Sequence, residues 1–204
     1  MAKRAEALEL SVLGILSSSP LHGYELRKRL ISVTGLFKTI SYGSLYPILK
    51  SLVERGFLAE QDENPSNKYP KRNRIVYVIT EQGKTHLNSL LAQSSPAAWD
   101  DDNFAVRMSL FSQTSADTRI HILQGRRSRL EVRLAELKNN LAKGRERLDA
   151  YTLELQQHGL DALEREVRWL NELISHEQSG GLKKSANSNA KTNNITAANK
   201  EAMQ

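Results

Sequence analysis

The chain has 204 residues, of which 39% are apolar and 25% are charged, a composition typical of one globular domain with a smaller helical appendage. The net charge is +6, and the basic excess lies in residues 1–95 (thirteen basic and eight acidic side chains) and in residues 181–204, which indicates a polyanionic partner for the first half. The absence of cysteine excludes a disulfide framework and a thiolate zinc site, and it indicates a cytoplasmic protein held together by packing.

Neither export nor membrane insertion is expected. Lys3 and Arg4 precede an apolar run, as in a signal peptide, but Glu6 and Glu9 interrupt that run. No stretch approaches the roughly 20 apolar residues that a membrane-spanning helix requires.

Three amphipathic helices are predicted first in the chain. The apolar side chains of each recur mostly three or four positions apart, as one buried helix face requires. They are Leu8, Val12, Ile15 and Leu16 in the first helix, Leu26, Leu30 and Val33 in the second, and Leu45, Ile48, Leu49 and Leu52 in the third. The Ser17–Pro20 run ends the first helix, the second runs from about Leu21 to Val33, and Gly56 stops the third.

A hairpin and a fourth helix are predicted next. Two β-prone runs, residues 57–60 and 74–79, flank the polar segment 62–73 and predict a two-stranded wing with a long tip. Thr80 is the expected N-cap of the fourth helix, with Glu81 in its first turn. These elements predict a mainly α protein whose residues 1–93 form a winged helix-turn-helix domain.

The rest of the chain is predicted to be helical, with two coiled-coil-like heptad seams. A linker (residues 94–103) and a short helix (Phe104–Phe111) precede a long helix whose seam includes Gly144 in one slot and breaks at His158–Gly159. The first seam consists of Leu130, Leu134, Leu137, Leu141, Leu148, Tyr151 and Leu155, and the second of Leu163, Val167, Leu170 and Ile174. The second seam could fold back on the first, and both should bury against helices of this chain or of a second copy. Residues 179–204 are predicted to be a disordered tail.

The third helix carries a second, unlike face. Opposite the leucine stripe lie Gly43, Pro47, Lys50, Ser51 and Glu54, with Tyr46 on the flank. The N-cap is either Ser41 or Ser44. Pro47 is free of cost only with Ser44, because a helix that starts at Ser41 lacks one interior hydrogen bond near Gly43, at a cost of up to about 3 kcal/mol.

Two interpretations of this face remain open. It could belong to an ordinary surface helix whose tyrosines are half-buried packing residues. In a helix-turn-helix domain, however, it belongs to the recognition helix, whose N-terminal part enters the major groove. A wing with Lys68, Lys71, Arg72 and Arg74 suits the flanking phosphates, and helix and wing together favour DNA binding.

Three sequence blocks resemble the PadR family of transcriptional regulators. They are "LHGYEL" at 21–26, "SYGSLYPILKSLVERGFL" at 41–58 and "YVITEQGK" at 77–84, in the order and spacing of the family. The remainder, with "FAVRMSLF" at 104–111 and "RWLNEL" at 168–173, is similar to the C-terminal domain of the longer PadR subfamily. The resemblance implies a homodimer, joined by the helices of residues 104–178, that binds a palindromic operator and usually acts as a repressor released by a small molecule.

The resemblance also implies individual site residues. The DNA contacts of the recognition helix would be Ser41, Tyr42, Gly43, Ser44, Tyr46, Pro47 and Lys50. Further contacts would come from Tyr24 in the second helix and from Lys68, Tyr69 and Arg72 in the wing. The heptad pattern itself gives the candidate dimer contacts, which are the seam residues Leu130, Leu134, Leu137, Leu141, Leu163, Val167, Leu170 and Ile174.

No other chemistry is expected. The five histidines are scattered without an i, i+4 pair, and no phosphate loop or nucleophile motif occurs, so no catalytic site, metal site or cofactor is predicted. Asp100–Asp102 suit a solvated linker better than a cation site, because consecutive carboxylates point in different directions. Trp99 and Trp169 either line an effector cavity between the domain and the helices or pack at the dimer interface.

Three functions from different classes are therefore compared. A dimeric DNA-binding repressor accounts for helix, wing and charge together, and an activator of the same fold has the same sequence features. The second is a winged-helix protein-interaction module without DNA binding. The third is an enzyme, which the absence of any catalytic constellation disfavours.

Overall fold

The computed structural model describes residues 2–34, 42–62, 75–101, 103–144 and 147–180, with the backbone alone at residues 2–4, 33, 34 and 42. The chain divides into two compact units, Met1–Thr118 and Arg119–Gln204. Among the described residues, no helix combines the length and the apolar character that crossing a membrane requires.

The described part of the first unit contains five α-helices and three short strands. In chain order they are α1 (Ala2–Leu16), β1 (Leu21–His22), α2 (Gly23–Thr34), α3 (Tyr42–Glu54), β2 (Leu58–Asp62), β3 (Ile75–Ile79), α4 (Glu81–Leu91) and α5 (Phe104–Ser109). Two 3-10 turns, Pro96–Trp99 and Phe111–Gln113, flank α5. The succession of three helices, a hairpin and a further helix confirms the predicted winged helix-turn-helix fold.

β3 is the central strand of a three-stranded antiparallel sheet, not half of the predicted two-stranded wing. On one side it pairs with β2, with Asp62 opposite Ile75. On the other side Leu21 lies opposite Tyr77, so α2 begins at Gly23 and the predicted start at Leu21 is wrong. A two-residue strand is too short to show an alternating pattern in the sequence, yet it pairs an edge of β3 that would otherwise stay open.

Leucines from α1, α2 and α3 form the centre of the first unit. Side chains with no solvent exposure are Val12, Leu13, Leu26, Leu30, Leu45, Leu49 and Leu52. Leu8, Ile15 and Ile48 of the predicted stripes lie at the margin of this core and are partly buried. Burial of one leucine side chain stabilises the fold by about 1.5–3 kcal/mol, so this cluster fixes how the three helices pack.

α3 ends at a glycine, as the sequence predicts. Gly56 has a φ of 74°, a left-handed conformation that favours glycine. The Gly56 N–H donates to the Val53 carbonyl and the Phe57 N–H to the Leu52 carbonyl, both at 2.9 Å. This pair of bonds is a Schellman motif, which satisfies two of the last carbonyls of α3 and turns the chain into β2.

Thr80 connects this turn to α4. Its hydroxyl accepts the Gly83 N–H (3.0 Å), as the predicted N-cap, and donates to the Gly56 carbonyl (2.7 Å). The close approach requires a glycine at position 83, because a Cβ there would lie 2.1 Å from the Phe57 carbonyl oxygen. The position of α4 is therefore tied to the end of α3.

A charged cluster also links α1, the end of α3 and α4. One Glu9 carboxylate oxygen lies 2.8 Å from the Arg55 guanidinium, and the other lies 2.8 Å from Nε2 of His86. The Phe57 ring stacks on His86 with a centroid distance of 4.2 Å, and the Arg55 guanidinium lies 4.6 Å above the Phe57 ring. Burial alone would raise the pKa of Glu9, but the bonds from Arg55 and His86 together hold this pKa below its ordinary value.

We expect Glu9→Gln to lower the free energy of unfolding by about 1 kcal/mol at neutral pH, since the ion pair of Glu9 with Arg55 and its hydrogen bond with His86 are only partly buried. A folded-state pKa below the unfolded one stabilises the protein above the unfolded value, and this contribution is lost as pH falls through the folded value. Urea denaturation curves of the two proteins should therefore differ at neutral pH and converge below about pH 4.

Glu54→Gln is the matched control, because its carboxylate is exposed and lies 3.8 Å from Lys50. It should change the free energy of unfolding less than Glu9→Gln does at neutral pH. Coincident curves for wild type and Glu9→Gln at neutral pH would show that the cluster does not stabilise the domain.

The first compact unit extends to Thr118, beyond the predicted boundary after the linker of residues 94–103. That linker contains the Pro96–Trp99 turn. The predicted helix over residues 104–111 forms as the shorter α5, followed by the second 3-10 turn.

The packing of α5 explains this later boundary. The buried Arg107 guanidinium donates to the carbonyls of Leu90 (2.6 Å) and Gln93 (3.1 Å) at the end of α4. The α1 backbone lies close to the residue that follows α5, because a Cβ on Gly14 would be 2.5 Å from the Leu110 side chain. α5 therefore completes the first unit instead of starting the second.

Two long helices form the described part of the second unit. They are α6 (Ala116–Gly144), which begins at the end of the first unit, and α7 (Ala150–Gln178). Arg119 pairs with Glu177, and Lys138 pairs with Glu164, both at 2.6 Å, so the helices run antiparallel. This arrangement confirms that the second predicted seam folds back on the first.

The seam residues differ in burial. Leu130, Leu163, Leu170 and Ile174 are buried within the single chain. Leu134, Leu137, Leu141 and Val167 are only partly buried. The pair Arg119–Glu177 is also buried, with side chains 8% and 7% exposed, so it sets the register of the two helices at this end.

The break between the helices lies earlier in the chain than predicted. His158–Gly159, the predicted break, lies inside α7. Asp149 instead caps α7 by accepting the N–H groups of Tyr151 and Thr152, both at 3.0 Å, and the Thr152 hydroxyl is the main cause of its lowered pKa. The predicted continuation of the first seam is therefore wrong, and Tyr151 and Leu155 are exposed at 90% and 67%.

Candidate nucleic-acid interface

The outer face of α3 is exposed, as the sequence predicts. Leu45, Leu49 and Leu52 are fully buried on the inner face. The exposed residues of the outer face are Gly43, Ser44, Tyr46, Pro47, Lys50 and Glu54, while Ser51 is half-buried. Gly43 and Ser44, the described side-chain positions of this face in the first turn, are both small, so another molecule can approach the helix backbone there.

The start of α3 decides between the two N-caps that the sequence left open. α3 begins at Tyr42, so Ser44 lies inside the helix and Pro47 in its second turn. Proline has no N–H, and the Gly43 carbonyl therefore lacks its usual donor four residues later. This is the costlier of the two alternatives.

Tyr46 does not project freely from the helix. Its hydroxyl lies 3.3 Å from the position that a Cβ would occupy on Gly23, at the start of α2. The side chain nevertheless remains 47% exposed. The tip of the ring therefore packs against α2, while another part of the ring is open to solvent.

Lys50 supplies a positive charge on the same face. Its ammonium lies 3.8 Å from the Glu54 carboxylate, and the two side chains are 79% and 65% exposed. A pair this exposed contributes little to stability, so a phosphate can replace Glu54 as the partner of Lys50 at low cost.

α2 adds further exposed residues beside this face. Tyr24, in its first turn, is 67% exposed. Arg29 is tied to Ser19 (3.0 Å) and Glu25 (3.7 Å), whereas Lys28 is exposed and was not singled out from the sequence. Sequence periodicity places Lys28 outside the core stripe of α2, but it does not show whether this side chain is exposed.

β2 and β3 support the wing. Their antiparallel pairing brings Asp62 opposite Ile75, which are the two ends of the wing tip. The candidate residues Ser41, Lys68, Tyr69, Lys71, Arg72 and Arg74 lie outside the described residues, as does the side chain of Tyr42.

The two candidate effector residues lie in different units. Trp99 is half-buried in a 3-10 turn of the first unit, and Trp169 is 39% exposed on α7 of the second. Of the linker aspartates, Asp100 is buried and accepts the Asn103 N–H at 3.0 Å. Within the described ranges, no group of three His, Cys, Asp or Glu side chains could hold a metal ion.

The sequence of the first unit matches a known family. The model of the transcriptional regulator PadR-like family matches residues 12–89, which extend from α1 into α4 and include α3 and the hairpin. This part of the chain belongs to the PadR-like family of transcriptional regulators. The resemblance of the three sequence blocks is thereby confirmed.

The similarity to a known protein covers most of the length of this chain. The negative transcriptional regulator PadR of Bacillus subtilis is 23% identical over 177 residues, which are 82% of this chain and 96% of that protein. Its crystal structure in complex with operator DNA is 20% identical, with 83% of this chain and 98% of that chain covered and a TM-score of 0.40. Its crystal structure in complex with p-coumaric acid is 20% identical, with 84% and 99% covered and a TM-score of 0.39.

Pro47→Ala should stabilise the PadR-like domain. Alanine restores the N–H that the Gly43 carbonyl lacks and has the best helix propensity, so we expect the free energy of unfolding to rise by up to about 3 kcal/mol. Urea denaturation measures this change. Pro96→Ala is the control, because Pro96 lies at the first position of a 3-10 turn, where proline breaks no interior bond. Equal gains for both variants would contradict the cost assigned to Pro47.

Proposed function

We propose that this PadR-like regulator binds double-stranded operator DNA as a homodimer and represses transcription. The outer face of α3 is the observation that supports this most directly. Its residues Gly43, Ser44, Pro47 and Lys50 are exposed, although the opposite face of the same helix is fully buried. In a winged helix-turn-helix domain this helix is the one that enters the major groove.

The residue types of the outer face fit a groove. Gly43 and Ser44 carry no long side chain, so the N-terminal turn can approach base edges closely, and the Ser44 hydroxyl can donate to or accept from them. Lys50 lies further along the helix, where a flexible cation suits a phosphate. Sequence-specific binding combines contacts to base edges with contacts to phosphates. Small residues near the bases and a cation near the DNA backbone can provide both.

The charge of the wing adds to this interface. Residues 63–74 contain four basic side chains, Lys68, Lys71, Arg72 and Arg74, and one acidic side chain, Glu63. Their positive potential would attract the phosphates beside the groove and make the affinity dependent on salt.

A protein partner fits the outer face of α3 less well than DNA does. Stable protein interfaces bury about 800 Å² on each partner and have a core depleted of charge. The described side chains of the outer face include one half-exposed aromatic ring, one proline and a charged pair, Lys50 and Glu54. Its chemistry therefore favours a polyanion over an apolar protein surface.

The second unit supports the homodimer. Among the described residues of this unit, the exposed large apolar side chains are Val132, Tyr151, Leu155 and Trp169. A single chain leaves these side chains in water, and a second copy that contributes the same residues would cover them. A twofold dimer presents two copies of α3 and hence prefers an operator with two symmetric half-sites.

Repression and release by a small molecule rest on the relative. Bacillus subtilis PadR is a negative regulator, and it has been crystallised with p-coumaric acid. By analogy we propose that this chain is a repressor that responds to a small-molecule effector.

Tyr46→Ala and Lys50→Ala should each weaken binding to a palindromic duplex from the protein's own promoter region, with unchanged helical circular dichroism. Lys50→Ala should also lower the slope of log Kobs against log salt concentration by about 1, because one phosphate contact is lost. Fluorescence anisotropy titrations over a series of salt concentrations measure both effects.

Lys84→Ala is the control for these titrations, because Lys84 is exposed on α4 and paired with Glu81 at 2.6 Å. It should bind DNA as the wild type does. A variant of Tyr46 or Lys50 with normal affinity would show that the assigned face is wrong. If the wild type binds no upstream DNA, or binds it without dependence on salt, the protein-interaction module is favoured instead.

The double variant Val132→Glu/Leu155→Glu should convert the dimer into a monomer in sedimentation velocity, because it replaces two exposed apolar side chains of the second unit, one on α6 and one on α7, with carboxylates. Gln157→Glu adds a charge at an exposed position of the same helix as Leu155 and serves as the control. A dimer that survives the double substitution would place the interface elsewhere.

A further inference from the structure

The Tyr46 ring is held against the start of α2. A Cβ on Gly23 would lie 3.3 Å from the Tyr46 hydroxyl oxygen, 3.6 Å from Cζ and 3.7 Å from Cε1. These distances show that the tip of the ring rests directly on the Gly23 backbone. Any larger side chain at position 23 would have to move the ring or be moved by it.

Tyr77 lies on the sheet side of the same junction. It occupies the centre of β3, directly between Leu21 of β1 and Glu60 of β2, and is only 5% exposed. Since Leu21 is two residues before Gly23, the strand pair β1–β3 brings Tyr77 close to the site on which the Tyr46 ring rests.

The surroundings keep the Tyr77 hydroxyl protonated. Burial, and then the Glu60 carboxylate and the nearby Tyr46 phenol, raise the pKa of Tyr77 above its ordinary value. The β2–β3 register places Glu60 directly opposite Tyr77, on the same face of the sheet. This pairing holds Tyr77 between β1 and β2 in the middle of the sheet.

We propose that Gly23 and Tyr77 are positioning residues for Tyr46, which make the outer edge of α3 and the wing strands one preformed DNA-binding surface. The inference rests on the proposed function. Gly23 provides the space for the tip of the ring, and Tyr77, buried in the central strand between Leu21 and Glu60, limits its movement from the side of the sheet.

The benefit of such positioning is entropic. A half-exposed tyrosine without fixed neighbours samples several rotamers and loses this freedom when it binds a partner. Here the rotamer is selected when the domain folds, so less ordering remains for the moment of DNA binding. Neither Gly23 nor Tyr77 needs to touch DNA for this effect.

Two small substitutions test the proposal in the full chain. Tyr77→Phe removes only the hydroxyl and keeps the ring, and Gly23→Ala adds one methyl group under the Tyr46 ring. Each should lower the affinity for the operator duplex by roughly three- to tenfold without changing the salt slope, because no phosphate contact is lost. In spectra of protein with ¹³C-labelled tyrosine, the Tyr46 ring signals should shift in both variants.

Matched controls separate these effects from general ones. Ser89→Ala removes an exposed hydroxyl of α4 that donates to the His86 carbonyl (2.7 Å), and Gly159→Ala adds a methyl group whose nearest neighbour, Leu137, lies 3.9 Å away. Neither control should change operator affinity or the Tyr46 signals. Thermal unfolding followed by circular dichroism shows that each variant is folded, and Gly23→Ala carries the test if Tyr77→Phe does not fold.

The outcomes distinguish this proposal from the proposed function. Normal operator affinity of the folded variants, together with lost binding of Tyr46→Ala, would overturn the positioning role. A salt slope reduced by about 1 in Tyr77→Phe would overturn it as well, because the residue would then act through phosphate. If the wild type binds no DNA, the proposed function fails, and unmoved Tyr46 signals in both variants would separately refute the contact.

Discussion

The outer face of α3 is open to a partner because three leucines hold the opposite face out of water. Leu45, Leu49 and Leu52 have no solvent exposure. A rotation of α3 by one residue would move this row away from the core at a cost of about 1.5–3 kcal/mol for each side chain exposed. The core of the first unit therefore sets which residues face outward, and the identity of the outward residues sets what they can bind.

The two ends of α3 reinforce this orientation in different ways. At the C-terminal end, the Schellman turn at Gly56 and the hydroxyl of Thr80 fix α3 to β2 and α4 through short backbone bonds. At the N-terminal end, Pro47 weakens the helix, because the Gly43 carbonyl loses its donor. Pro47 therefore lowers the stability of α3, and it lies on the outer face, where it adds nothing to the core. Such a conflict between local stability and residue choice is expected at functional sites.

The sequence predicted the elements whose signals are local. Apolar periodicity predicted α1 and α3, Gly56 predicted the end of α3, and Thr80 predicted the start of α4, since each signal lies within the element itself. β1 was missed because two residues cannot display a pattern. The packing of Arg107 against the end of α4 was also missed, and with it the later boundary of the first unit, because that contact joins residues distant in the chain.

For the candidate site, too, the sequence predicted the features with local signals and missed a contact between distant residues. Helical periodicity was sufficient to assign Lys50 and Pro47 to the exposed face of α3. It could not show that Tyr46 rests on Gly23, because that contact depends on how α2 crosses α3.

In the second unit the heptad pattern predicted two seams, but Asp149 ends the first one by capping α7, and an N-cap signal is easily hidden in a continuous apolar repeat. With the turn at this point, the two helices bury Leu130 and Leu170 within the chain and leave Val132, Tyr151 and Leu155 exposed. Exposed apolar side chains of this kind favour association, which is the reason for proposing that a second copy of the chain covers them.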